Sequence, residues 1–209
     1  MDKSISALFF ILLSVFVCKS QDNWTTIKID GLGSIGLPPN MEIQGGAYLE
    51  INNKIKEING ISASKVIFQQ KNLNSGNFKS FETYARVFIR TEKGSSGEYQ
   101  KLKNSSLSAN EVKEINDAYK SEIYGSATLV NATILEWYPA RMGTLNGYKC
   151  LTMGYKRKVG TNSPTLSTLY FFQNYNRTHI LTFEYRIVDA DTWQTTFNQI
   201  KNSLTIKEQ

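Results

Sequence analysis

Thr178 to Arg186 reads THILTFEYR, and Asp189 to Leu204 reads DADTWQTTFNQIKNSL. In the first stretch His179, Leu181, Phe183 and Tyr185 fall on one side of an alternating pattern, which predicts a strand with a buried face. In the second, Trp193, Phe197, Ile200 and Leu204 recur at helical spacing and predict an amphipathic helix. Asp189 and Asp191 stand at its start, where the positive end of the helix dipole favours carboxylates. A strand that hands over directly to a helix, at the end of a series of strands, predicts an α+β fold.

Working back from this unit, Thr165 to Gln173 (TLSTLYFFQ) is a second strand across the turn Asn174-Tyr175-Asn176. Tyr148 to Lys158 is a third, with Leu151, Met153 and Tyr155 on one face, and Asn146-Gly147 before it is a hairpin signal. Thr133 to Met142 carries Pro139, which cannot donate to a ladder and so predicts an edge strand or a bulge. Ser108-Ala109-Asn110-Glu111 is a capping box. The helix it opens has the stripe Val112, Ile115, Tyr119 and Ile123, and Gly125 is its predicted stop. Further upstream, Lys65 to Lys71 and Thr83 to Thr91 are predicted strands joined through Asn74 to Asn77, and Gly94 to Gly97 is a turn. Ala47 to Ile58 predicts a helix stopped by Asn59-Gly60, and Trp24 to Ile29 a first strand. Gly31, Gly33 and Gly36 imitate a phosphate loop. Pro38-Pro39 follows where such a loop would open a helix, so turns around a short strand are the better reading.

Residues 1–20 read as a signal peptide: Lys3, an apolar run from Ile5 to Val17, then small residues at 18 and 20 before Gln21. That run fits an export signal of ~7–15 apolar residues better than a spanning helix of ~20. Lipidation at Cys18 is the alternative, but Val17 fits poorly before a lipidated cysteine. Residues 21–209 are then one exported domain, periplasmic or extracellular, with no membrane span left after cleavage. Its hydrophobic content of 41% suffices for a core. The formal charge of +6 is modest and the tightest basic cluster is Lys156-Arg157-Lys158, which reads as a solvated strand end. Nucleic-acid binding therefore lacks its electrostatic footprint. Cys150 would be the lone cysteine and His179 is the lone histidine. A buried, inert thiol is the better reading than a Cys–His pair.

The order Glu136-Trp137-Tyr138-Pro139, Asn146-Gly147-Tyr148, a long hairpin containing His179 to Phe183, and a Trp193…Phe197…Ile200 helix resembles the C-terminal half of PsbP-like domains. That superfamily includes photosystem-associated PsbP proteins, a Ran-binding import factor and DcrB-type bacterial lipoproteins; the exported start is similar to bacterial members. The resemblance implies an antiparallel β-sheet flanked by helices, an α/β/α sandwich. It also implies action mostly by binding proteins, sometimes with an ion. No binding residue of the family maps onto this chain.

The residues contain no catalytic motif, no cofactor motif and no metal-ligand spacing. Asp189 and Asp191 are too few for calcium, which takes ~6–8 oxygen ligands. The expected role is non-catalytic binding of a protein or small ligand of unknown identity. In the strand Thr83 to Thr91, Tyr84, Arg86, Phe88 and Arg90 share a face and form the candidate binding surface. The commonplace reading of that face is a helix lying over it with packed arginine stems. Two alternatives are an envelope-polymer hydrolase using Glu136 and Glu184 as a carboxylate pair, and a carbohydrate-binding module built on the aromatics. The sequons at Asn23, Asn104, Asn131 and Asn176 mark polar loops. The export reading makes a direct prediction: mass spectrometry of the protein from its native cells should find Gln21 at the amino terminus. An intact Met1 on cytosolic protein would overturn it.

Overall fold

β9 (Arg177–Arg186) is the strand expected at Thr178 to Arg186, and the rest of the sheet is arranged around it. On one side it pairs with β5 (Ala85–Lys93), then β4 (Ala63–Gln70) and β3 (Met41–Ile43) follow. On the other lie β8 (Thr165–Asn174), β7 (Tyr148–Val159) and β6 (Ala132–Leu145). All six pairings are antiparallel. A separate three-stranded sheet is made by β1 (Thr25–Ile29), β2 (Gly33–Leu37) and β10 (Thr205–Ile206). The helices are α1 (Ala109–Leu129) and α2 (Ala190–Asn202), and the chain is thus α+β. This computed structural model describes residues 23–45, 63–75, 82–94, 108–174 and 176–207. The leader at 1–20, the helix expected at 47–58, the turn at 95–97 and the sequon at Asn104 lie outside the described residues.

The strand alternation sorts the side chains into two cores. Leu181, Phe183 and Tyr185 of β9 meet Trp193, Phe197 and Ile200 of α2, together with Val87 and Ile89 of β5 and Ile35 of β2. Phe197 packs edge-on to Phe183 at 5.3 Å and to Tyr185 at 5.8 Å. Burying each such side chain contributes about 1.5–3 kcal/mol, which is what holds a helix of this length. On the opposite face Met153, Tyr155, Leu169, Phe171 and Ile180 receive Ile115, Tyr119 and Ile123 of α1. Tyr119 meets Phe171 edge-on at 4.8 Å.

Several local expectations hold. Ser108 Oγ accepts from the Glu111 amide, and the Ser108 amide donates to Glu111 Oε2 at 2.8 Å, closing the capping box. Asn146 and Gly147, both at positive φ, join β6 to β7. β6 is an edge strand whose register shifts between Tyr138 and Arg141, around Pro139. Asn116 of α1 fastens that bulge, because its Oδ1 accepts from the Ala140 amide at 2.8 Å and from Trp137 Nε1 at 3.2 Å.

Two expectations need correction, and two hold in a particular form. Gly125 does not end α1, which continues to Leu129 and stops where Asn131 turns to φ 51°. Glycine costs a helix about 1 kcal/mol, too little to break one that already has a cap and a buried stripe. Leu204 lies beyond α2, since the helix ends at Asn202; its side chain is buried between the helix and β10. β10 itself is only two residues and has no periodicity to read. Its backbone passes so close to Gly33 that a Cβ there would sit 2.0 Å from the Thr205 carbonyl oxygen. The glycine-rich segment is thus a docking point for the chain's own end, not a phosphate loop. Asp189 and Asp191 do stand at the start of α2, as its N-cap and in its first turn; the Asp189 side chain makes no capping bond there and accepts from the Tyr84 amide and from Arg186 Nε.

His179 ties the two sheets together. Its Nε2–H donates to the Gly31 carbonyl at 3.1 Å, so the neutral ring's Nδ1 accepts from Thr91 Oγ1 at 2.9 Å. Burial is the main cause that pushes its pKa down to about 4; Arg177 acts in the same direction, and Asp30 and the Gly31 bond act against it. The unfolded chain takes up this proton near pH 6.5 and the folded chain only near pH 4. Stability should therefore fall as pH drops through that window, by up to about 3 kcal/mol. Urea titrations between pH 7 and pH 4.5 should give a steeper loss for the native chain than for His179→Gln, and equal slopes would refute the assignment. Gly125→Ala, whose added Cβ meets nothing within 4 Å, should raise the urea midpoint by about 0.5–1 kcal/mol of stability. An unchanged or lowered midpoint would contradict the helix interior described here.

Candidate functional site

One row of cross-strand partners runs through all seven strands: Trp137, Tyr155, Ser167, Glu184, Arg86, Gln69 and Glu42. All of these point to the α1 face. The next row carries Arg157, Thr165 and Arg186, and beside it lies Tyr84, whose carbonyl accepts from the Arg186 amide. On this face the side chains enclose two cavities, one clear of α1 and one against its flank. One, of about 440 Å³, is lined by Tyr84, Arg157, Ser163, Thr165, Glu184 and Arg186 among others. The second, of about 330 Å³, is lined by Phe88, Arg90, Tyr119, Arg157 and Glu184 among others. Arg157 and Glu184 border both. A third hollow of about 440 Å³ lies at the Pro139 bulge, with Arg141 as its charged lining residue among the described ones.

Glu184 is the centre of the arrangement and is 2% exposed. Its Oε1 accepts from Tyr84 Oη at 2.6 Å and from Arg157 Nη2 at 3.0 Å. Its Oε2 accepts from the same Arg157 nitrogen at 3.0 Å and from Ser167 Oγ at 2.7 Å. A carboxylate offers about four acceptor positions, so Glu184 is saturated. Burial, with Glu184 alongside, holds the proton on Tyr84 far above the usual phenol range, so Tyr84 acts as a donor. Burial opposes the charge on Arg157, but Glu184 and Tyr155 outweigh it and raise its pKa. Arg157 is therefore no solvated strand end, contrary to the expectation for the 156–158 cluster. Lys156 points to the other face and donates to Glu136 Oε2 at 2.5 Å.

The expected residues Tyr84, Arg86, Phe88 and Arg90 do share this face. Tyr84 lines the first cavity and Phe88 and Arg90 the second, with Arg86 opposite Glu184 in the ladder. Among the described residues the helix-cover reading holds at the Phe88–Arg90 end, where Arg90 Nη1 comes within 3.9 Å of Glu122 of α1 and Phe88 lines a cavity with Tyr119. Lys65 Nζ stands 5.2 Å from the Phe88 ring, and the Arg86 guanidinium 5.5 Å from that of Tyr84. Arg157, Thr165 and Ser167 were not anticipated. Arg157 continues the alternation Leu151, Met153, Tyr155, and that was the signal for it.

The carboxylate pair is overturned. Glu136 shares a row with Lys156, Leu166 and Tyr185, so it lies on the opposite face from Glu184. Cys150 is fully buried and burial pushes its thiol up to about 12, while both ring nitrogens of His179 are engaged elsewhere. No group of three or more His, Cys, Asp or Glu is placed to hold a metal among the described residues. No described helix is long and apolar enough to cross a membrane.

No family model and no curated protein matches the chain. Among solved structures, cyanobacterial PsbP (CyanoP) from Synechocystis sp. PCC 6803 is similar, with a TM-score of 0.50 at 11% identity. A Bacteroides thetaiotaomicron VPI-5482 protein gives a TM-score of 0.43 at 10% identity, over 84% of this chain and 45% of that one. Identities this low speak of architecture only. With 88% of this chain and 92% of the cyanobacterial protein aligned, this chain has a PsbP-like fold.

Proposed function

We propose that the chain is a non-catalytic exported domain, a PsbP-like helix–sheet–helix sandwich that receives a ligand on the face bearing Tyr84, Arg86, Phe88 and Arg90. The observation that carries this reading is the meeting of two cavities at the Arg157–Glu184 pair. Their sizes suit small ligands, which occupy sites of about 300–1,000 Å³. The floor is fixed before any ligand arrives, because Glu184 already holds Tyr84, Arg157 and Ser167 in place. A catalytic role finds less support. General acid–base work needs a carboxyl free to exchange its proton, and all the acceptor positions of Glu184 are filled. The carbohydrate reading is also weaker, since a sugar platform needs an exposed flat ring. Trp193 is buried in the core, Trp24 packs against it, and Trp137 stacks on Tyr155 with its ring N–H bound to Asn116.

Chemical-shift mapping on the isotope-labelled mature protein, with a fragment set of acids, amines and neutral compounds, tests the location. The affected amides should cluster in residues 82–90, 157–165 and 184–189. A response confined to β6 and the Pro139 bulge would place the site elsewhere and overturn the reading.

A further inference from the structure

The bulge at Pro139 re-aims an arginine. Tyr138 pairs with Gly154 and Arg141 with Thr152, and those partners lie two residues apart on one face of β7. Tyr138 and Arg141 therefore share that face although they are three residues apart, where regular alternation would set them on opposite sides of the sheet. Asn116 holds the turned backbone from behind, through the Ala140 amide. Arg141 is thus brought to the α2 side, into the hollow of about 440 Å³ that it lines with Tyr138, Pro139, Thr152, Leu166 and Thr168 among others.

Arg157 and Arg186 are neutralised by Glu184 and Asp189, whereas Arg141 is exposed and has no carboxylate partner among the described residues. The other charged groups of β6 and β7 on this face are Glu136, Lys156 and Lys158, and Lys156 donates to Glu136 at 2.5 Å. Helix α2 adds Lys201, whose Nζ lies 5.5 Å from the ring of Tyr170, the ladder partner of Thr152; its Asp191 stands at the other end of the helix. Positive charge around the hollow is therefore in excess. The hydroxyls of Thr152 and Thr168 in its wall have no hydrogen-bond partner among the described residues. Gly154 leaves the floor low, since a Cβ there would stand 3.4 Å from Tyr138 Cδ2, and the Tyr138 ring, Pro139 and Leu166 supply apolar wall. A guanidinium fork matches the oxygens of a carboxylate or a phosphate, and hydroxyls donate to the same groups. We infer that this hollow binds a small organic oxyanion, its charged group received by Arg141 with Thr152 and Thr168 and its apolar body set against Tyr138, Pro139 and Leu166. The site lies on the opposite side of the sheet from the face proposed above, so the two readings stand or fall separately.

Chemical-shift titrations of the mature protein with benzoate, phenyl phosphate, benzyl alcohol and benzylamine test the inference. Benzoate and phenyl phosphate should perturb amides in residues 138–143, 152–154 and 166–168, and the uncharged and cationic probes should bind there at least about tenfold more weakly. Inorganic phosphate, which lacks the apolar body, should bind more weakly than phenyl phosphate. Arg141→Gln alters an exposed side chain, so the fold should persist, which circular dichroism checks. It should weaken benzoate about tenfold and leave benzyl alcohol unchanged. Lys113→Gln removes the same charge from exposed α1 surface and should alter neither. Benzyl alcohol or benzylamine binding as tightly as benzoate, benzoate binding unaffected by Arg141→Gln, or an equal loss in Lys113→Gln would overturn the inference. Silence of these amides toward every probe would overturn it too. A benzoate response confined to residues 82–90 and 184–189 would support the face proposed above and refute this site.

Discussion

Glu184 lies in the middle of a strand buried on both faces, and a carboxylate there must be paired or the strand cannot be where it is. Moving a charge out of water costs several kcal/mol even after relaxation, and only close, well-directed partners offset it. Glu184 draws those partners from Arg157 on β7, Ser167 on β8 and Tyr84 just before β5. Those strands and β9 are thereby set in one register, since a slip of one residue would move Glu184 into the aromatic core around Phe197. The hydrophobic rows on both sides and the seat of α1 follow from that register.

The sequence made the two apolar stripes legible because each is local. Leu181, Phe183 and Tyr185 alternate within one strand, and Trp193, Phe197 and Ile200 recur within one helix. The capping box at Ser108 and the Pro139 bulge could be read for the same reason, since each rule involves residues within a few positions. The partners of Glu184 could not. They stand 17, 27 and 100 residues away, and only strand order and register bring them together. Lys156-Arg157-Lys158 looked like one basic cluster because charge was read without the strand's alternation. That alternation splits it, with Lys156 on the face of Glu136 and Arg157 on the face of Glu184.

The candidate surface illustrates the same division. Tyr84, Arg86, Phe88 and Arg90 were legible as a face of one strand, but not which of them α1 would reach. Among the described residues, helix α1 packs chiefly on the hairpin of β6 and β7 and on β8, and reaches β5 near Phe88 and Arg90. Covering is therefore graded along the strand, from the ion pair at Arg90 to the cavity at Tyr84.

A fold by itself does not name a ligand, so function has to be sought in the side chains that the sheet carries. One carboxylate on β9 faces guanidinium groups from the strands on both sides, Arg86 from β5 and Arg157 from β7. Hydrogen bonds from two hydroxyls, Tyr84 and Ser167, fill the acceptor positions that Arg157 leaves. A single network thus fixes the register of four strands.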